Sequence, residues 1–233
     1  VSNVRASRGI RSRNWDYEAV RDCITVERLR SYLVASGEDL EGAFEWYEWN
    51  IKASTSVMGL VSVVEVVVRN ALDREMRQWC NKLHGTECWF DHVRLDARGA
   101  ADLAAARARA RGGGTRAEVH GKVIAELSLG FWRYLVESRY YASIWVPAAH
   151  KAFPGGASDL RQRQRRVAKH LQQLQFVRNR AAHHEPIHRR DFRRDLQAAA
   201  ELTLWVSPHA QGWMESVCTL RRVVASRPVG LRN

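Results

Sequence analysis

Residues 176–188, Phe-Val-Arg-Asn-Arg-Ala-Ala-His-His-Glu-Pro-Ile-His, gather in one short stretch the residue types that can cut a phosphodiester. Arg178 cannot lose its charge and can hold a phosphate through two parallel hydrogen bonds. An imidazole, at His183 or His184, can take the proton of a ribose 2′-hydroxyl or give one to a leaving 5′-oxygen. Asn179 can orient the histidine or the phosphate. These groups suffice for attack of a 2′-hydroxyl on the neighbouring phosphorus without a metal, a reaction open to RNA and closed to DNA. The same residues also suit a plainer role, a cationic cap on a solvated helix end.

The element that must position them is a helix. From Ser158 to His184 the chain has no Gly or Pro, and Val167, Leu171, Leu174, Val177 and Ala181 recur at helical spacing. Ser158 is the expected N-cap. Pro186 biases Glu185 away from the α region, which predicts an end near His183 or His184. Asn179 and His183 are i, i+4 neighbours on one face. Arg178 and His183 stand roughly 140° apart around a regular helix. They converge only if the last turn loosens or two copies of the helix meet.

The string Arg-Asn-Arg-Ala-Ala-His-His-Glu-Pro-Ile resembles the signature of the Abi-like (abortive-infection) proteins, bacterial phage-defence proteins of the HEPN superfamily of α-helical ribonucleases. Their motif is an Arg, commonly followed by Asn, with four to six residues before a His; Arg178 to His183 spans four and Arg178 to His184 five. Three other stretches are similar to the family: Glu45-Trp46-Tyr47-Glu48-Trp49-Asn50, Val64-Glu65-Val66-Val67-Val68-Arg69-Asn70-Ala71 and Leu129-Gly130-Phe131-Trp132-Arg133-Tyr134-Leu135. The resemblance covers roughly Val26 to Pro228. It implies an all-α, HEPN-like helical bundle with additional helices, paired as a homodimer whose two motif helices meet and bring Arg178 and His183 of both copies into one cleft. It implies a metal-independent endoribonuclease that needs no cofactor, a toxin-like effector in antiviral defence that cuts tRNA or single-stranded RNA and works with an antitoxin or regulatory partner. His183 is then the acid/base, with His184 as its rival or helper, Arg178 the phosphate clamp and Asn179 the orienting amide. Arg180, Arg189 and Arg190, clustered around the motif, are candidate RNA contacts. The alternative is a non-catalytic RNA-binding or protein-interaction module of the same fold. A DNA-binding repressor is suggested by charge alone, without a helix-turn-helix signal.

A second group of candidates lies in the most apolar segment, 55–83, read as a buried helix. Glu65 sits among Val63, Val64, Val66, Val67 and Val68. A carboxylate there needs a partner or changes its pKa. Arg69, four residues on, is the expected partner, with Asn70 beside it. A structural ion pair and a supporting role at the site are both open. In the resembling proteins this helix packs beside the motif helix, which makes Glu65, Arg69 and Asn70 supporting candidates.

Two hundred and thirty-three residues suit one domain with a substantial core. The formal net charge of +12 favours an anionic partner. Nearly all of the positive charge is Arg, with five Lys, a bias that high-GC coding also produces. The first residues are Arg-rich and lack the apolar core of a secretory signal. No run reaches the roughly 20 apolar residues of a bilayer span, so no membrane partner is expected. The four cysteines form no CxxC pair, which fits a reduced, cytoplasmic protein. Cys80, His84, Cys88 and His92 are spaced four apart, but Gly85-Thr86 interrupts them, and no metal is assigned. No GxGxxG, Walker loop, HExxH or GxSxG is present.

The remaining elements follow from caps and periodicity. Residues 1–24 read as a polar, flexible segment before one α-helical domain over 25–228. Thr25 caps a helix that Ser36-Gly37 ends, and another begins near Asp39 with Leu40, Phe44, Tyr47 and Ile51 on one face. Residues 97–114 read as a flexible insertion between core helices, helical or partly disordered and closed by three glycines, with arginines free to reach RNA or to be solvated. Thr115 is the expected cap of the next helix, 129–145 an aromatic-rich helix, Asp191 to Trp205 an amphipathic one. Ser207-Pro208 opens a last helix reaching about Val224. Nothing alternates with period two, so no sheet is expected.

Overall fold

The computed structural model describes residues 15–229. Every regular element among them is helical. Besides short 3-10 and π turns, the α-helices in chain order are α1 (Tyr17–Ile24), α2 (Val26–Ser36), α3 (Leu40–His84), α4 (Ala97–Ala110), α5 (His120–Glu126), α6 (Leu129–Leu135), α7 (Leu160–Ala182), α8 (Phe192–Val206), α9 (Pro208–Val217) and α10 (Leu220–Ala225).

The axis of the fold is α3, a single 45-residue helix in place of the two expected over this span. Ser54, Thr55 and Ser56, where the two expected helices adjoin, are poor helix formers. The helix carries them through. Ser54 and Ser56 are buried, Thr55 returns its hydroxyl to the Ile51 carbonyl at 3.0 Å, and Ser56 Oγ accepts from Thr219 at 2.9 Å. Asp39 accepts from the Gly42 N–H at 2.8 Å to start α3, and left-handed Gly85 ends it.

Around α3 pack α2, α7, α8, α9 and α10. The connection of α2 to α3 is a tight αα-hairpin through Gly37 (φ 74°). α7 lies on α3 and also packs against α8 and α6. One apolar core runs through them, from Leu29 and Tyr32 of α2 to Leu171, Leu174 and Val177 of α7. By length and composition α3 also meets the requirements of a membrane span, contrary to the reading that no segment does. Here its buried stripe faces the other helices.

Several expectations are corrected. Residues 1–14 of the expected flexible segment lie outside the described residues. Beyond them, α1 forms with Asp16 as N-cap, and Tyr17 packs on Phe44 with ring centroids 5.3 Å apart. Of the two readings of 97–114 the helical one holds: α4 forms there, with Leu103, Ala106 and Ala110 buried against neighbours that include α5 and α6. Its arginines bind internally: Arg107 to Asp91 at 2.6 Å and Glu118 at 2.9 Å, Arg109 to Glu126 at 2.8 Å. Thr115 tightens the glycine turn by donating to the Gly112 carbonyl at 3.0 Å, and α5 starts only at His120.

The 129–145 helix breaks after Leu135, where the Glu137 carbonyl accepts from Gln164 at 2.9 Å and Arg139 reaches Asp96 at 2.6 Å. The last helix divides at Cys218-Thr219, and Val223 beyond the break accepts from Trp49 Nε1 at 2.8 Å.

Candidate functional site

α7 positions the site. Asp159, one residue after the expected cap, accepts the Gln162 N–H at 2.7 Å. The helix ends at Ala182 with His183 as C-cap. Glu185 N–H bonds the Arg180 carbonyl at 2.8 Å and His184 N–H the Ala181 carbonyl at 3.1 Å. This is a Schellman ending, with His184 in the left-handed position that glycine usually holds (φ 56°). A side chain there costs about 1–2 kcal/mol.

The turn is held from α2 and α3. Arg28 donates to the His184 carbonyl. Asn50, buried, accepts the Ile187 N–H at 2.8 Å. Arg180 closes the turn itself, with Nη2 on the Pro186 carbonyl at 2.9 Å and Nε against Glu185 at 3.1 Å. Asn50 was not singled out in the sequence as a site residue. Its place in the Trp-Tyr-Glu-Trp-Asn stretch is the signal that points to it.

Arg178 is half-buried and donates to Asn179 Oδ1 at 3.3 Å. Asn179, His183 and His184 are exposed. Phe176, Asn179 and His183 stand at i, i+3 and i+7 and share the open face of the last two turns. No hydrogen bond joins Arg178 to either imidazole among the described residues. Within one copy, the structure therefore couples Arg178 to Asn179 and leaves the imidazoles apart.

Glu65 faces Arg178. Burial pushes its carboxyl above the ordinary range, opposed first by Arg178, then by Arg69, then by the Leu129 backbone N–H at the start of α6. The expected Glu65–Arg69 pair is thus replaced by a shared arrangement in which Arg178 is the stronger neighbour. Neither arginine forms a direct ion pair with Glu65 among the described residues. Arg69 is half-buried with Nε unpartnered, and Asn70 is exposed beyond it.

The three arginines beside the motif differ. Arg190 is committed to Asp195, a fully buried carboxylate in the first turn of α8, through Nε at 2.5 Å and Nη2 at 2.6 Å. Arg180 holds its own turn. Arg189 is exposed and makes no hydrogen bond or ion pair among the described residues. Asp195 was missed because an acid early in a helix reads as an ordinary favourable charge.

His188 was missed as well, since His-Arg-Arg reads as a solvated run. It is 3% exposed, against Tyr32 and Trp46 at 5.0 and 5.7 Å between ring centroids. Burial first, then Arg189, Arg227 and Arg180, lower its pKa to about 4. The native state therefore binds fewer protons than the unfolded chain between pH 6.5 and about 4. Stability from this group is present above pH 6.5 and falls as the pH drops through that window, by up to about 3 kcal/mol. His188→Phe should flatten the urea stability profile between pH 6.5 and 4 relative to wild type. Parallel profiles would show that the imidazole is not held neutral.

The Cys80, His84, Cys88 and His92 set is arranged for packing. Cys80 donates to the Cys88 carbonyl at 3.6 Å, and His84 stacks on His92 at 4.1 Å. No protein-family model, curated protein or solved structure matches the chain.

Proposed function

We propose that the chain is a metal-independent endoribonuclease of the HEPN type, a toxin-like effector of abortive-infection defence that acts in the cytoplasm as a homodimer. The observation that carries this reading is convergence. All four stretches that resemble the Abi-like proteins lie on packed helices around α7: Asn50 of α3 binds Ile187, α3 and α6 both pack on α7, and the charge of Arg178 and the Leu129 backbone both oppose the upward shift of the Glu65 carboxyl. Nothing in a plain cationic cap requires a half-buried carboxylate behind the arginine.

In this mechanism a ribose 2′-oxygen attacks phosphorus as its proton passes to one His183 imidazole. The P–O5′ bond breaks, and the leaving 5′-oxygen takes a proton from the second copy's His183. Arg178 spans two phosphate oxygens as charge builds on them. Glu65 restrains the guanidinium, and Asn179 fixes its direction. Pairing of two copies resolves the separation of Arg178 and His183 around the helix. Val66, beside Glu65, and Ile51 leave apolar surface open on α3 for such pairing. A regulatory partner or antitoxin belongs to the same proposal.

The test is incubation of total tRNA and of a single-stranded RNA with the full chain in EDTA, with product ends mapped. The expected products carry 2′,3′-cyclic phosphate and 5′-hydroxyl ends. RNA binding without cleavage at any pH would favour a non-catalytic module.

His183 is preferred over His184 as the acid/base because it shares a face with Asn179, whereas His184 serves the backbone. His184→Gly should raise stability by about 0.5–1 kcal/mol and keep cleavage within a few-fold. Loss of cleavage in a stabilised His184→Gly protein would move the assignment to His184.

A further inference from the structure

We propose that a single strand of RNA lies along the groove between α7 and α8 and stacks one base on Phe176 on its way to His183. This rests on the ribonuclease reading and names the form of its substrate. Two cavities of about 680 and 700 Å³ line this side of α7 and share Gln173 and Arg194, so they form one continuous groove. Arg165, Lys169 and Arg189 face it with no hydrogen bond or ion pair among the described residues, and Arg194 reaches Asp191 only at 3.6 Å. Cations left without partners along a groove match a phosphate backbone.

Phe176 supplies the second feature. It is 53% exposed on a helix whose Val167, Leu171, Leu174 and Val177 are buried. The guanidiniums of Arg190 and Arg180 lie 5.4 and 5.9 Å from its ring, which fixes it as a platform. Bases of a single strand stack on such aromatics between backbone-tracking cations, whereas a duplex keeps its bases stacked on one another. Lys169, Phe176 and His183 follow at seven-residue steps, each roughly 10 Å along the ridge of the helix. Lys169 lines the groove, and Phe176 and His183 stand on its rim beside Arg180 and Arg190, so a strand leaving the cations meets the aromatic ring and then the reacting imidazole.

The test is fluorescence anisotropy with the full chain and a labelled 2′-O-methyl RNA 12-mer, which binds without being cut, against its duplex. Phe176→Ala should weaken single-strand binding at least about five-fold, with Phe176→Trp close to wild type. Arg165→Ala, Lys169→Ala and Arg194→Ala together should lower the slope of log K against log salt by about 2. The duplex should bind at least ten-fold more weakly. Unchanged binding by Phe176→Ala, or equal binding of the duplex, would overturn the proposal. So would loss of binding by Phe176→Ala accompanied by dissociation of the dimer in sedimentation equilibrium, since Phe176 would then be an interface residue. Cleavage by wild type with unaltered binding by Phe176→Ala would remove the groove and keep the ribonuclease. Binding that depends on Phe176 in a chain that cuts nothing would do the reverse.

Discussion

Arg190→Ala is expected to destabilise the fold by about 3–5 kcal/mol, the usual consequence of leaving one member of a buried ion pair alone. Asp195 is fully buried, and without Arg190 its remaining side-chain partner is Gln173 Nε2 at 3.0 Å. One neutral amide does not compensate a desolvated carboxylate. For a chain of this size the melting temperature should fall by roughly 10 °C. Arg189→Ala, one residue away and exposed, should stay within about 0.5 kcal/mol of wild type. Replacing both Arg190 and Asp195 by Leu should recover most of the loss, because the buried charge goes with its partner. Thermal and urea unfolding of the three variants decides the matter. An Arg190→Ala protein as stable as wild type would mean that the guanidinium is free, and its place among the RNA contacts would be restored. With the expected result, a loss of RNA binding in that variant reflects the fold and the seat of Phe176 beside Arg190, not a lost phosphate contact.

The sequence disclosed most where one residue fixes a local geometry. Thr25, Asp39 and Ser207 cap helices as their chemistry dictates, and Pro186 places the end of α7 within a residue or two. The apolar period of α7 names its buried face. What could not be read depends on contacts distant in the chain. The continuity of α3 through Ser54-Thr55-Ser56 depends on small residues being wanted where Thr219 approaches. Arg190 meets Asp195 across the start of α8, and His188 is buried by rings from α2 and α3. Glu65 was legible as an anomaly, a carboxylate in a valine wall. Its strongest neighbour was not, because Arg178 lies 113 residues later in the chain.

The motif residues carry the other strong expectation. A positioned acid/base contributes about 10²–10⁴-fold to such a reaction, so His183→Ala should lose that much cleavage. His183 is exposed, and the variant should unfold within about 0.5 kcal/mol of wild type. Arg178→Ala should lose a comparable factor, and Arg178→Lys should restore little, because an ammonium cannot span two phosphate oxygens. Arg178→Ala also removes the main charge opposing Glu65, so a further rise in the Glu65 pKa should accompany it.

The deciding measurement is the rate at which wild type, Arg178→Ala and His183→Ala cut a single-stranded RNA in EDTA, read beside their melting curves. The account predicts cleavage by wild type, a loss of at least about 100-fold in each folded variant, and 2′,3′-cyclic phosphate on the products. Cleavage at the wild-type rate by folded His183→Ala and Arg178→Ala proteins would contradict it, and the end of α7 would be left as a helix cap.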